Sequence, residues 1–90
     1  PLNPATGKVP EGIEDQTRQV LKNIQAILEA GGAKLDDVVK VTAHLADLKY
    51  FTAFNEVYKT FFKEPFPVRT TVGSQLKDIL VEIDVIAELA

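Results

Sequence analysis

The chain has no cysteine, no methionine, no tryptophan and a single histidine. Without cysteine there is no disulfide framework, no thiol nucleophile and no thiolate-ligated zinc. That composition suits a reducing compartment, and a cytoplasmic location is expected, or a mitochondrial one in a eukaryote. Long hydrophobic runs are also missing: no stretch approaches the roughly 20 apolar residues needed to cross a bilayer. The opening "PLNPATGKVPEG" lacks the basic-then-apolar pattern of a signal peptide. Positive charge is scarce. A formal charge of −3 with no basic cluster argues against strong nucleic-acid binding, because phosphate contacts need local Lys and Arg.

What is present reads as one small folded domain spanning residues 1–90. With 46% hydrophobic and 26% charged residues, the chain has the balance of a globular protein. At this size it buries only about 60 to 70% of its unfolded surface. Residues 1–12 hold three of the five prolines and two of the five glycines and read as an irregular arm. From Ile13 to Ala30, Val20, Leu21, Ile24, Ile27 and Leu28 recur at helical spacing. Glu14 and Asp15 suit the first turn of that helix, and Gly31-Gly32 ends it.

The next stretch has a period of two. Val39, Val41, Ala43 and Leu45 form one strand face, with Lys40, Thr42 and His44 on the other. Asp47 is placed to cap a second helix of about 12 to 14 residues, ended by Pro65 and Pro67. Its stripe Phe51, Phe54, Tyr58 and Phe61 reads as core. Two more strands follow. In one, Val68, Thr70 and Val72 face inward and Arg69 points away from the core. In the other, Val81, Ile83, Val85 and Ala87 face inward, with Glu82, Asp84 and Glu88 outward.

Helix, strand, helix, strand, strand is an α+β order, and a two-layer sandwich with both helices on one face of the sheet satisfies every apolar face. If the last two strands pair as a hairpin, Arg69 and Thr71 lie near Glu82 and Asp84 on the open face. That face also carries Val38, Leu80 and Ile86, a mixture typical of assembly surfaces. Arg69 and Glu82 then have two readings. They form a cross-strand ion pair worth at most about 1 kcal/mol, or they form a site in which Arg69 grips a carboxylate and Glu82 moves a proton. Spacing alone favours the ion pair, since surface pairs far outnumber active sites. His44 reads as an ordinary strand histidine, Asp84 as a solvated or interface charge, Tyr58 as core and Gly73 as a β-bulge.

The segments "PLNPATGKV", "QTRQVLKNIQAILEAGG", "LDDVVKVTAHLADL", "FNEVY", "FPVRTTV" and "VEIDVIA" together resemble the Rid family, the reactive intermediate deaminases also called YjgF or L-PSP. The resemblance spans essentially the whole chain. It implies a mixed sheet in a chorismate-mutase-like α+β fold, a homotrimer with clefts between subunits, and hydrolysis of enamines and imines such as 2-aminoacrylate to 2-oxo acids and ammonia. No cofactor, metal or membrane is implied. The family motif puts the carboxylate-binding arginine at Arg69, the acidic residue at Glu82 and a cleft asparagine at Asn55. Thr71 stands where the family has a cysteine that contributes mainly backbone contacts.

The resemblance is incomplete. The family's leading segment, with a Gly-Pro-Tyr-Ser motif and a strand ending Ser-Gly-Gln-Ile, is not found in these residues. The implication is either a trimmed product or a site made without the tyrosine and serine that segment supplies. His44 replaces an aromatic or aliphatic residue, and "GSQLKD" lacks the usual Leu-Pro pair. Two other functions follow from the same resemblance: a trimeric module that binds small carboxylates without turnover, and an RNA-acting translation inhibitor or endoribonuclease. The acidic balance counts against the second.

Overall fold

The computed structural model describes residues 1–64 and 66–89. Helix α1 (Ile13–Ala30) has the expected bounds, with Glu14 and Asp15 in its first turn. It ends because Gly32 takes a positive φ of 83°, which lets its N–H reach the Glu29 carbonyl and that of Ala33 reach Leu28 at 2.8 Å. Val20, Leu21 and Ile24 are buried, whereas Ile27, at the edge of the stripe, is exposed. Buried Gln16 ties three segments together: its Nε2 donates to the Pro10 carbonyl at 3.0 Å and its Oε1 accepts from Leu80 N at 2.8 Å.

Strand β1 (Val38–Leu45) is central, with β2 (Val68–Gly73) and β3 (Val81–Ala87) on its two sides. It pairs in parallel with β2 and antiparallel with β3. The expected hairpin between the last two strands is therefore incorrect. Helix α2 (Phe51–Tyr58) carries the chain back to the start of the sheet, so β2 must run parallel to β1. Residues 74–80 then step across to the far edge, and the most buried strand keeps the middle, with Val41, Ala43 and Leu45 fully buried.

The register corrects two faces. Val41 pairs with Arg69 and Ala43 with Thr71, so Arg69 and Thr71 share the helix-covered side of the sheet. Val68, Thr70 and Val72 lie on the open side, and Val68 is 68% exposed. Alternation along β2 is as expected, but its sense is reversed. At the start of β1 a bulge between Val38 and Lys40 shifts the parity by one residue. Val38 is thus buried at 6% exposure while Val39 is 43% exposed, the opposite of the expected assignment. In β3 the faces are as expected: Val81 and Ile83 are buried, and Glu82 and Asp84 are exposed.

The second helical region is shorter than expected. Asp47 caps a 3₁₀ turn (Leu48–Tyr50), its Oδ1 accepting from Lys49 N at 2.9 Å, and α2 follows directly. Phe54, Tyr58 and Phe62 make the buried aromatic column, with neighbouring ring centroids 5.5 and 4.9 Å apart. Phe62 takes the expected place of Phe61, which only flanks the core, and Phe51 is partly exposed. The helix-ending role assigned to Pro65 falls outside the described residues. Both helices cover one face: Val20, Leu21 and Ile24 of α1 and Phe54 and Tyr58 of α2 share a core with Val41, Ala43, Leu45, Val81 and Ile83. Among the described residues no helix is long and apolar enough to cross a membrane.

Candidate functional site

Arg69 is held where β2 meets α2. Its guanidinium donates from Nη1 to Asn55 Oδ1 at 2.6 Å. It lies over the ring of Tyr58 at 4.6 Å from the centroid, and over Phe51 and Phe54 at 5.4 and 5.7 Å. Aromatic faces attract the cation and shield one side of it from water, while Asn55 fixes the orientation of the fork. No carboxylate of the described residues lies within salt-bridge distance of Arg69. Lys59 nearby is already paired with Glu56 at 3.0 Å. Arg69 is therefore a positioned cation with its charge uncompensated, facing a cleft of ≈ 460 Å³ lined by Asn55, Tyr58, Lys59, Phe66 and Pro67.

Two buried side-chain oxygens on this side of the sheet have no hydrogen-bond partner among the described residues: Tyr58 Oη, on a ring that Arg69 overlies, and Thr71 Oγ1, two residues along β2. Burial pushes the Tyr58 phenol above its usual value, and the Arg69 charge opposes part of that rise. The predicted trio Arg69, Asn55 and Thr71 is thus brought to one side of the sheet, Arg69 and Asn55 in direct contact. Tyr58, read from the sequence as core, is both core and cleft wall. The sequence signal for it was the Phe51–Phe54–Tyr58 spacing on the helix that carries Asn55. Its meaning depended on which way Arg69 turned.

Glu82 is not brought to Arg69 within the chain. It lies on the open face of the opposite edge strand, beside its cross-strand partner His44. Two strand spacings, about 10 Å, and the thickness of the sheet separate the two side chains. The predicted cross-strand Arg69–Glu82 pair is therefore excluded. His44 instead links two neighbours, with Nδ1 at 3.0 Å from Ser74 Oγ and Nε2 at 3.5 Å from Asp84 Oδ2. No group of three metal-ligating side chains occurs among the described residues. A larger recess of ≈ 550 Å³ at the end of α1 carries Lys34, Lys63, Glu29 and Asp36, and there Lys63 is within 3.7 Å of Asp36. Mixed charge leaves it without the Arg69 cleft's clear preference for an anion.

The profile of the endoribonuclease L-PSP family matches residues 1–89. The chain belongs to this family, the Rid family. Among its Rid relatives, a RutC family protein of Pyrococcus horikoshii is 53% identical over 90 residues, covering 97% of this chain and 71% of the relative. An Escherichia coli protein named 2-iminobutanoate/2-iminopropanoate deaminase is 44% identical over 92 residues, with 97% and 72% covered. The crystal structure of Escherichia coli TdcF with bound serine superposes with a TM-score of 0.93 at 39% identity, covering all of this chain and 75% of that one. The α+β architecture described above is accordingly the Rid fold.

Proposed function

We propose that this Rid protein hydrolyses small amino-acid-derived enamines and imines, 2-aminoacrylate and its imine tautomer among them, to 2-oxo acids and ammonia. The observation that carries the reading is Arg69: a cation oriented by Asn55, floored by three aromatic rings and left without a carboxylate partner among the described residues. Such a fork binds a substrate carboxylate bidentately and fixes the adjacent C=N carbon for attack. The relative named as an iminobutanoate deaminase and the neighbour solved with serine support a substrate of that size and charge.

The chemistry is short. Water adds to the C=N carbon, giving up one proton to a carboxylate as the C–O bond forms. That proton passes to nitrogen and gives a carbinolamine. The same carboxylate then takes the hydroxyl proton as the C=O bond forms and delivers it to the departing nitrogen, so that the C–N bond breaks and ammonia leaves. One acceptor–donor group suffices. We assign that role to Glu82, supplied to each Arg69 cleft by a neighbouring copy in a homotrimer, because Glu82 and Arg69 of one chain lie on opposite faces of the sheet. The open face offers apolar surface for such docking, with Val68, Val72 and Ile86 exposed.

Mixing variants tests this directly. Arg69→Ala and Glu82→Gln should each be nearly inactive in an assay that generates the imine with a serine dehydratase and follows pyruvate. Subunit exchange between the two should then restore roughly a quarter of parental activity, because a cyclic interface recreates intact sites in mixed trimers. Failure of mixing to restore turnover in proven mixed trimers would place both groups on one chain and sink the shared-site reading. Pyruvate binding by a parent without turnover would select the binding module, and salt-steep RNA binding the RNA-acting reading.

A further inference from the structure

Among the described residues Arg69 makes one side-chain hydrogen bond, and the partner in it carries no charge. Arg69 Nη1 donates to Asn55 Oδ1 at 2.6 Å, and both residues line the cleft. A guanidinium has donors only, so chemistry fixes the amide with its oxygen toward Arg69. The one acidic residue of α2, Glu56, comes next in the chain, yet its carboxylate turns to Lys59 at 3.0 Å instead. A carboxylate in the place of the Asn55 amide would hold the fork more tightly, adding full charge attraction to the hydrogen bond. Aspartate and asparagine have the same shape, so the amide at this position is a choice of charge and not of size.

We propose that Asn55 is the positioning residue that makes Arg69 an anion-binding group: it stands where a counter-ion would, satisfies one N–H of the fork and leaves the charge for the ligand's carboxylate. This deepens the deaminase reading and rests on it. Other side chains at 55 fail in opposite ways. Aspartate would orient the fork but compensate its charge, so a substrate carboxylate would have to displace a rival tied to the same chain. An aliphatic residue would leave the charge free but the fork unheld, guided only by the rings of Phe51, Phe54 and Tyr58. A neutral acceptor meets both demands. The amide thus favours binding over stability, as working sites commonly do.

The test compares Asn55→Asp with Asn55→Ala, by thermal melting and by calorimetric titration with pyruvate. Asn55→Asp should melt about 5 °C above the parent, because it gives a counter-charge to a part-buried cation. It should bind pyruvate about 100-fold more weakly, and in turnover KM should rise more than kcat falls. Asn55→Ala should melt below the parent and lose only about tenfold in affinity, the effect of a fork no longer oriented. A residue that merely packs or lines the cleft would give the reverse order of affinities, since aspartate is the closer match in shape. The proposal is overturned if Asn55→Asp binds pyruvate as well as Asn55→Ala does, or melts no higher than the parent. Arg69→Ala distinguishes the two levels of inference. If the parent binds pyruvate and Arg69→Ala does not, the cleft stands and Asn55 is judged on its own variants. If the parent does not bind pyruvate, or Arg69→Ala binds it equally, both readings fall.

Discussion

The two faces of the sheet use similar residue types for different ends. On the helix-covered side, β2 presents Arg69 to Asn55 and to the rings of Phe51, Phe54 and Tyr58, where a polar group is held still and partly desolvated. On the open side, β1 and β3 present His44, Glu82 and Asp84, with only loose contacts between them and Asp84 70% exposed. The contrast teaches that a charge becomes a binding group through its surroundings. Arg69 has aromatic neighbours and no counter-charge among the described residues, whereas His44 has partners on both sides, of which Asp84 is largely exposed.

Removing the floor of the first region should have the largest effect. Phe54 is fully buried and underlies both the core and Arg69, so Phe54→Ala should cost about 3–5 kcal/mol in denaturant unfolding. A loss below 1 kcal/mol would mean that the column is not the support described. Arg69→Ala comes next, with transition-state stabilisation falling by about 2–5 kcal/mol in the imine assay. Arg69→Lys, which keeps charge but not the fork, should remain clearly impaired. Parental activity in both variants would reduce the cleft to surface. Glu82→Gln should lower turnover roughly 100-fold or more while pyruvate affinity holds. Because Glu82 is exposed, its melting temperature should barely move, which separates chemistry from folding.

Smaller effects sharpen the contrast further. The Tyr58 phenol is raised by burial, so its contribution to stability is complete below its ordinary value near pH 10 and is lost as pH rises toward the folded value. Above about pH 10 the parent should therefore lose up to about 1.4 kcal/mol per pH unit more than Tyr58→Phe. Identical alkaline slopes would show the hydroxyl to be solvated. On the open face, His44→Gln should change stability by no more than about 0.5 kcal/mol, measured by denaturant midpoint at pH 7. A larger loss would show that the His44 contacts to Ser74 and Asp84 hold the sheet together, and that the two faces differ less than their exposure implies.

Much of the fold was legible because it follows from local chemistry. The 3.6-residue recurrence of Val20, Leu21 and Ile24 needs a helix, and the glycine pair stops it because Gly32 tolerates a positive φ. Strand β3 alternates without interruption from Val81 to Ala87, so its faces were readable. The register error at Val38–Val39 arose because a bulge adds one residue of parity that no pattern announces. The family motif brought Arg69, Asn55, Thr71 and Glu82 to attention as a group, and spacing along the chain could not say which of them meet.

That grouping was decided in three dimensions. A short strand such as Val68–Gly73, bearing valine and threonine on one side and arginine and threonine on the other, has no strong apolar face of its own. Its side chains take whichever sense the neighbouring strand imposes. The sequence by itself determined the helices, the strands and the family pattern, since these rest on periodicity and steric limits acting over a few residues. Only the tertiary structure decided that Arg69 turns toward Tyr58 while Glu82 turns away. The sign of that choice is set by parallel pairing with β1, where Val41 must face the core and takes Arg69 with it.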